Sequence, residues 1–139
     1  MNKEEIIKEL NKDLALEFAA AIQYVQHASV ISGGEYDSIQ KELVVHSQEE
    51  MVHAVSLSDQ IDFLGGVPTV DVGERKVAPQ SVEMLKQDLE GEDLAIRRYR
   101  ERIGQAESMR EYGLRRALED ILIQEEEHKR DLQMVLEKK

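Results

Sequence analysis

The stretch GGVPTVDVGERKVAPQ, from Gly65 to Gln80, interrupts an otherwise helical sequence of 139 residues, and its length decides how the helices on either side can be arranged. Sixteen extended residues reach roughly 50 Å at about 3.3 Å each. A 28-residue helix is only about 42 Å long at about 1.5 Å per residue. The stretch can therefore cross a whole bundle, making the helices before and after it parallel. Val70, Val72 and Val77 suggest that it packs along the bundle, the alternative being a disordered linker.

Working outward, the other breaks are few: Gly33-Gly34 before the stretch, and a weaker one near Glu107-Ser108 after it. The four segments between them are rich in Ala, Leu, Glu, Lys and Gln. They carry apolar residues three and four apart, as in Ile7, Leu10, Leu14 or Leu85, Leu89, Ile96, Ile103, which is helical periodicity. Helices are expected near 3–32, 37–64, 81–106 and 109–137. Asn2 with Glu5, Asp37 with Gln40, and Ser81 after Pro79 are the expected caps. Short turns make helices 1 and 2, and helices 3 and 4, antiparallel pairs. The fold class is all-α: one four-helix bundle domain spanning 1–139, with a long crossover between helices 2 and 3.

Composition narrows the chemistry. An apolar content of 41% supports one core, and without cysteine any metal must sit on Glu, Asp, His or Met. The net charge of -11 opposes nucleic-acid binding. No apolar run approaches the roughly 18 residues of a membrane span, and MNKEEIIKEL does not resemble a signal peptide, so a cytoplasmic protein is expected. The acidity itself reads either as surface solubility or as attraction of cations to an acidic cavity.

Two motifs carry the chemistry: Glu50-Met51-Val52-His53 on the second helix and Glu125-Glu126-Glu127-His128 on the fourth. Residues three apart share a helix face, so one carboxylate and one imidazole can hold one metal. Alone, each motif is no more than a surface Glu-His pair. Their spacing to upstream acids is more telling, because Glu17 precedes Glu50 by 33 residues and Glu92 precedes Glu125 by 33. Each hairpin thus offers a lone Glu facing an E-x-x-H. Glu17 (in LALEFAAAI) and Glu92 lie near the apolar stripes, where unpaired carboxylates are costly unless cations neutralise them. Four carboxylates and two imidazoles make two mixed oxygen and nitrogen sites suited to iron or manganese.

On these residues the chain resembles the bacterioferritins of the ferritin-like di-iron superfamily. The resemblance runs from LNKDLALEFAAAIQYVQHA through SQEEMVHA and LKQDLEGEDLAIRRYRERI to EEEH. It implies a ferritin-like bundle holding two Fe ions and acting as a ferroxidase, in which Fe(II) is oxidised by O2 or H2O2 for iron storage and detoxification. By resemblance, Glu50 and Glu125 bridge the metals, Glu17 and His53 complete one site, and Glu92 and His128 complete the other. Tyr24 matches a tyrosine near the family's centre and reads either as an electron-transfer residue or as a core tyrosine.

The resemblance has departures. Glu49 can accept a hydrogen bond from a metal-bound histidine, but Gln124 stands where a second acid would, which should leave the opposite imidazole less basic. Met51 sits where the family ligates haem across a dimer axis, or else fills an apolar interface gap. His27 reads as a packed or interface histidine. His46, seven residues before His53 on one stripe, is a candidate for transient iron. The chain ends at Lys139 with no fifth helix of the kind that helps build the bacterioferritin shell. The expected homo-oligomer is therefore open between a dimer and a larger cage. The alternative function is a soluble rubrerythrin-like peroxide scavenger without a mineral cavity.

Overall fold

A computed structural model describes residues 1–137 of the chain. Four helices follow in order: α1 (Lys3–Val30), α2 (Asp37–Phe63), α3 (Ser81–Ser108) and α4 (Tyr112–Glu137), with a 3-10 turn at Gly34–Tyr36. α1 packs beside α2 and α3 beside α4, while α1–α3 and α2–α4 contacts close the bundle. This is the ferritin-like arrangement expected from the crossover. Among the described residues no helix is long and apolar enough to cross a membrane.

The crossover is visible bond by bond. Asn11 donates to Val67 O (3.1 Å) and accepts from Thr69 N (2.8 Å); Gly73 N donates to Ala15 O (2.9 Å) and Lys76 N to Gln23 Oε1 (2.8 Å). The partners climb α1 from its first turns towards its end. The valines do not hold the strap, as expected of them: Val70 and Val77 are 88% and 68% exposed, and Val72 is also exposed. Side-chain amides and close backbone approach do so instead. At Gly73 a Cβ would lie only 3.2 Å from Leu16 Cδ2 and 3.3 Å from Ala15 O.

The helix ends show which local signals work. Asn2 and Glu5 form the expected capping box. Asp37 does not cap α2; it lies in the first turn, after the 3-10 turn, and Gln40 donates to Ala28 O instead. Nor does Ser81 cap α3, because its hydroxyl staples α3 to Ser32 at the end of α1. α2 ends in a Schellman motif in which Gly65 N reaches Asp62 O and Gly66 N reaches Ile61 O, and Gly65 takes the required positive φ of 95°. α3 ends in the same way with Arg110 at φ 59°, and this reversal uses the residues before Tyr112, so α4 starts three residues later than expected.

The interior is layered. One apolar cluster gathers Ile6, Leu10, Leu14, Leu57, Ile61, Leu114 and Leu118; a second gathers Tyr24, Ile39, Leu43, Met84, Leu85 and Leu132. A polar layer lies between them.

Candidate metal centre

That layer contains all six residues singled out by spacing. Glu17 from α1, Glu50 and His53 from α2, Glu92 from α3, and Glu125 and His128 from α4 are each 3% exposed or less. His53 Nδ1 lies 3.4 Å from Glu17, 3.2 Å from Glu50 and 3.5 Å from Glu125. His128 Nδ1 lies 3.1 Å from Glu92, 3.4 Å from Glu50 and 3.3 Å from Glu125. Glu50 and Glu125 thus reach both imidazoles, whereas Glu17 and Glu92 reach one each. Two groups able to hold a metal result, Glu17-Glu50-His53-Glu125 and Glu50-Glu92-Glu125-His128, each with its donor atoms within 4.8 Å of one another.

The donor set suits a pair of cations. Glu17 Oε2, Glu50 Oε1, His53 Nδ1, Glu92 Oε1 and both Glu125 oxygens are buried without a hydrogen-bond partner among the described residues. Each such atom costs about 1–3 kcal/mol when left unsatisfied. Mixed carboxylate and imidazole donors fit iron or manganese.

Without metal the cluster holds protons. Burial, then the charges of Glu17 and Glu92, raise the Glu50 carboxyl well above its ordinary 4.5; burial, then Glu50, does the same to Glu125. Burial also raises Glu92. Burial alone would lower both histidines, but the Glu17 hydrogen bond and charge prevail at His53, raising it to about 9. At His128 the hydrogen bonds of Glu125 and Glu92 prevail against burial and raise it to about 11.

The outer ring nitrogens are held from the opposite hairpin. His53 Nε2 meets Gln124 Oε1 at 2.5 Å, His128 Nε2 meets Glu49 Oε1 at 3.0 Å, and Gln124 Nε2 donates to Glu49 Oε2 at 3.2 Å. An acceptor on Nε2 holds a proton there and faces Nδ1 inward, where it donates to the carboxylates in the metal-free protein and would become a ligand on losing its proton. The Gln124 contact is itself among those that raise His53.

Comparison with known proteins agrees with this geometry. The model of the ferritin-like domain family matches residues 7–139. The chain belongs to the ferritin-like family. A bacterioferritin from Streptomyces coelicolor is 32% identical over 125 residues, covering 89% of this chain and 75% of the relative. A solved ferritin-like, diiron-carboxylate protein from Bacillus anthracis superposes with a TM-score of 0.93 at 33% identity, covering 98% of this chain and 99% of that one. A dodecameric thioferritin from Bacteroides fragilis, described as bacterioferritin-related, gives 0.91 at 32% identity, with 98% and 86% covered.

Within this ferritin-like bundle, adding 75 to a residue number in the first hairpin gives its counterpart in the second. The rule links Glu17 to Glu92, Glu50 to Glu125 and His53 to His128. It also reveals a residue that spacing to the E-x-x-H motifs alone did not. Tyr24 donates to Glu92, and its counterpart Tyr99 donates to Glu17 at 2.5 Å, so each lone glutamate is held by a tyrosine from the facing helix. Both hydroxyls are buried beside carboxylates, and burial, then Glu92 for Tyr24 and Glu17 for Tyr99, raise them well above 10.

Asp13 and Asp88 are also counterparts. Arg98 and Arg102 bind Asp13, at 2.6 Å and 2.8 Å through their Nε atoms, whereas Gln23 and His27 bind Asp88, both at 2.9 Å. His27 is thus packed, with its other nitrogen 3.1 Å from Lys76 O. His46 is buried against His128, its ring stacked at 4.0 Å, and burial and then His128 lower it to about 4. Met51 points outward, 47% exposed, away from the six central residues.

Proposed function

We propose that this ferritin-like protein is a ferroxidase that oxidises Fe(II) with O2 or H2O2 for iron storage and detoxification. One observation carries the reading: two buried donor sets that share Glu50 and Glu125 and leave six atoms without hydrogen-bond partners among the described residues. Iron held there supplies the ferrous-to-ferric change, one electron from each ion to the oxidant. Glu17, Glu50 and Glu125 with His53 would hold one Fe(II), and Glu92, Glu50 and Glu125 with His128 the other. Glu49 and Gln124 keep the imidazoles aimed inward. Tyr24 and Tyr99 fix the lone carboxylates, and as buried phenols bonded to Glu92 and Glu17 either could pass the oxidant one further electron beyond the two from iron. The apolar clusters above and below exclude bulk water.

Storage requires a shell. The Bacteroides fragilis relative is described as dodecameric, and here Ile22, Val25, Met51, Val52 and Val55 expose apolar surface on α1 and α2. Both support a homo-oligomer. Anaerobic Fe(II) loading followed by O2 or H2O2, read by ferric absorbance, tests the reading. Glu50→Ala and Glu125→Ala should each nearly abolish oxidation and cut bound iron while helical circular dichroism survives. Unchanged oxidation in Glu125→Ala would sink the assignment. Size-exclusion chromatography separates a shell of twelve or more chains from a dimeric peroxide scavenger.

A further inference from the structure

Beside the six-residue centre, where α2 packs on α4, a second polar group breaks the internal repeat. Glu42 and His46 on α2 meet Asp131 on α4, with one ligand-capable atom of each within 4.8 Å of the others. His46 is fully buried, and its Nε2 lies 3.1 Å from Asp131 Oδ2. Among the described residues its Nδ1 has no hydrogen-bond partner. Glu42 is exposed and Asp131 half-exposed, so the group faces solvent on one side and the stacked ring of His128 on the other.

The repeat shows what helix packing alone would place here. The counterparts of Glu42, His46 and Asp131 are Ala117, Ile121 and Ser56, and Ile121 packs in the apolar core without difficulty. A buried imidazole with one unsatisfied nitrogen is costlier than the isoleucine that serves the same position in the other half. Packing does not explain the exchange, nor why two carboxylates flank a histidine at only one of the two equivalent positions.

We propose that Glu42, His46 and Asp131 form a third, solvent-open site for a divalent transition-metal ion. Two carboxylates and one imidazole supply mixed oxygen and nitrogen donors of the kind that bind Fe(II), Mn(II) or Zn(II), and water fills the open positions on the exposed side. Glu42, His46, Glu49, Glu50 and His53 follow one another along one stripe of α2. Half-exposed Glu49 contacts His128 directly. The stripe gives the third site a task, passing cations from solvent to the centre. That task rests on reading the centre as a metal site, whereas binding at the third site does not.

Zinc alone is the probe. Crystals of the full chain soaked in Zn(II) and measured at the zinc absorption edge should show a peak between Glu42, His46 and Asp131. The peak should vanish in Asp131→Asn and in Glu42→Gln, while peaks among the six central residues persist. Central peaks without this one in the wild type overturn the proposal. A peak here without central ones upholds it and removes the di-metal reading instead. In solution, calorimetric titration should find one fewer zinc per chain in Asp131→Asn and in His46→Ile, the latter carrying the residue found in the other half. Unchanged stoichiometry in both overturns the site. Stopped-flow Co(II) uptake into the centre should be slower in Asp131→Asn, and an unchanged rate overturns the transfer role.

Discussion

The hairpin of α1 and α2 and the hairpin of α3 and α4 supply the same inward groups in different surroundings. Glu17, Tyr24, Glu50 and His53 are matched by Glu92, Tyr99, Glu125 and His128. Around them the halves part: Glu49 against Gln124, His46 against Ile121, Gln23 and His27 against Arg98 and Arg102. Identity is kept at the six central residues and their tyrosines, at Asp13 and Asp88 and at core leucines such as Leu14 and Leu89, and it is lost at the groups that meet the two aspartates and the outer histidine nitrogens. The difference teaches that the donor set is demanded twice, once for each cation of the proposed pair. The rim tunes each half separately.

The largest expected effect treats both halves together. In metal-free protein Glu50 and Glu125 are raised well above 4.5, and His53 and His128 to about 9 and about 11 from 6.5. All four raised groups make the folded chain bind more protons than the unfolded one. Their contribution to stability is full at low pH and lost as pH rises through the folded values. The metal-free melting temperature should therefore fall from pH 5.5 to pH 8. Zinc should raise it more at pH 8, where fewer protons compete for the ligands. Glu125→Gln should stabilise the metal-free form at pH 8 and lose much of the zinc gain; a gain equal at both pH values would count against a buried carboxylate cluster.

Next in size is the contrast between Asp13 and Asp88. Asp13→Ala strands the buried Arg102 guanidinium, which should cost about 3–5 kcal/mol. Asp88→Ala leaves His27, which keeps its Lys76 bond, with one unpaired ring nitrogen, so about 1–3 kcal/mol is expected. Urea unfolding of both variants checks the order, and equal losses would mean that the two rims are energetically alike.

A smaller effect comes from erasing the difference at the outer ring nitrogens. Gln124→Glu should raise the metal-free His53 pKa above about 9, towards the value of about 11 at His128, as read by NMR titration. An unmoved value would show that the Gln124 contact does not control His53. The smallest concerns Met51, which has no counterpart role at Glu126. If it ligates haem between two copies, a Soret band should appear on haem addition and disappear in Met51→Leu, with melting unchanged. No band in the wild type leaves Met51 as surface packing.

Much of the centre was legible because helix geometry converts spacing into direction. Two E-x-x-H motifs and two glutamates 33 residues upstream name six positions that a helix must place on inner faces. Tyr99, Asp13 and Arg102 were not legible in that way, since each acts through a partner more than 80 residues distant. Only the internal offset between the halves, once noticed, points to them. The caps were read with mixed success. Asn2 caps α1 with its local partner Glu5, but Ser81 spends its hydroxyl on Ser32, a competitor that no local pattern reveals.

What the sequence determined by itself was therefore periodic and local: four helices, a connector long enough to cross them, and a duplicated set of metal-binding residue types. Regular backbone geometry makes such features calculable from spacing. Tertiary structure alone decided that the strap is held by Asn11, Ala15 and Gln23 rather than by its valines, which tyrosine holds which glutamate, and that Glu42, His46 and Asp131 meet across α2 and α4. Those outcomes depend on the angle and depth at which helices pack, and rotating one helix by a single residue position, about 100°, would give each group a different partner.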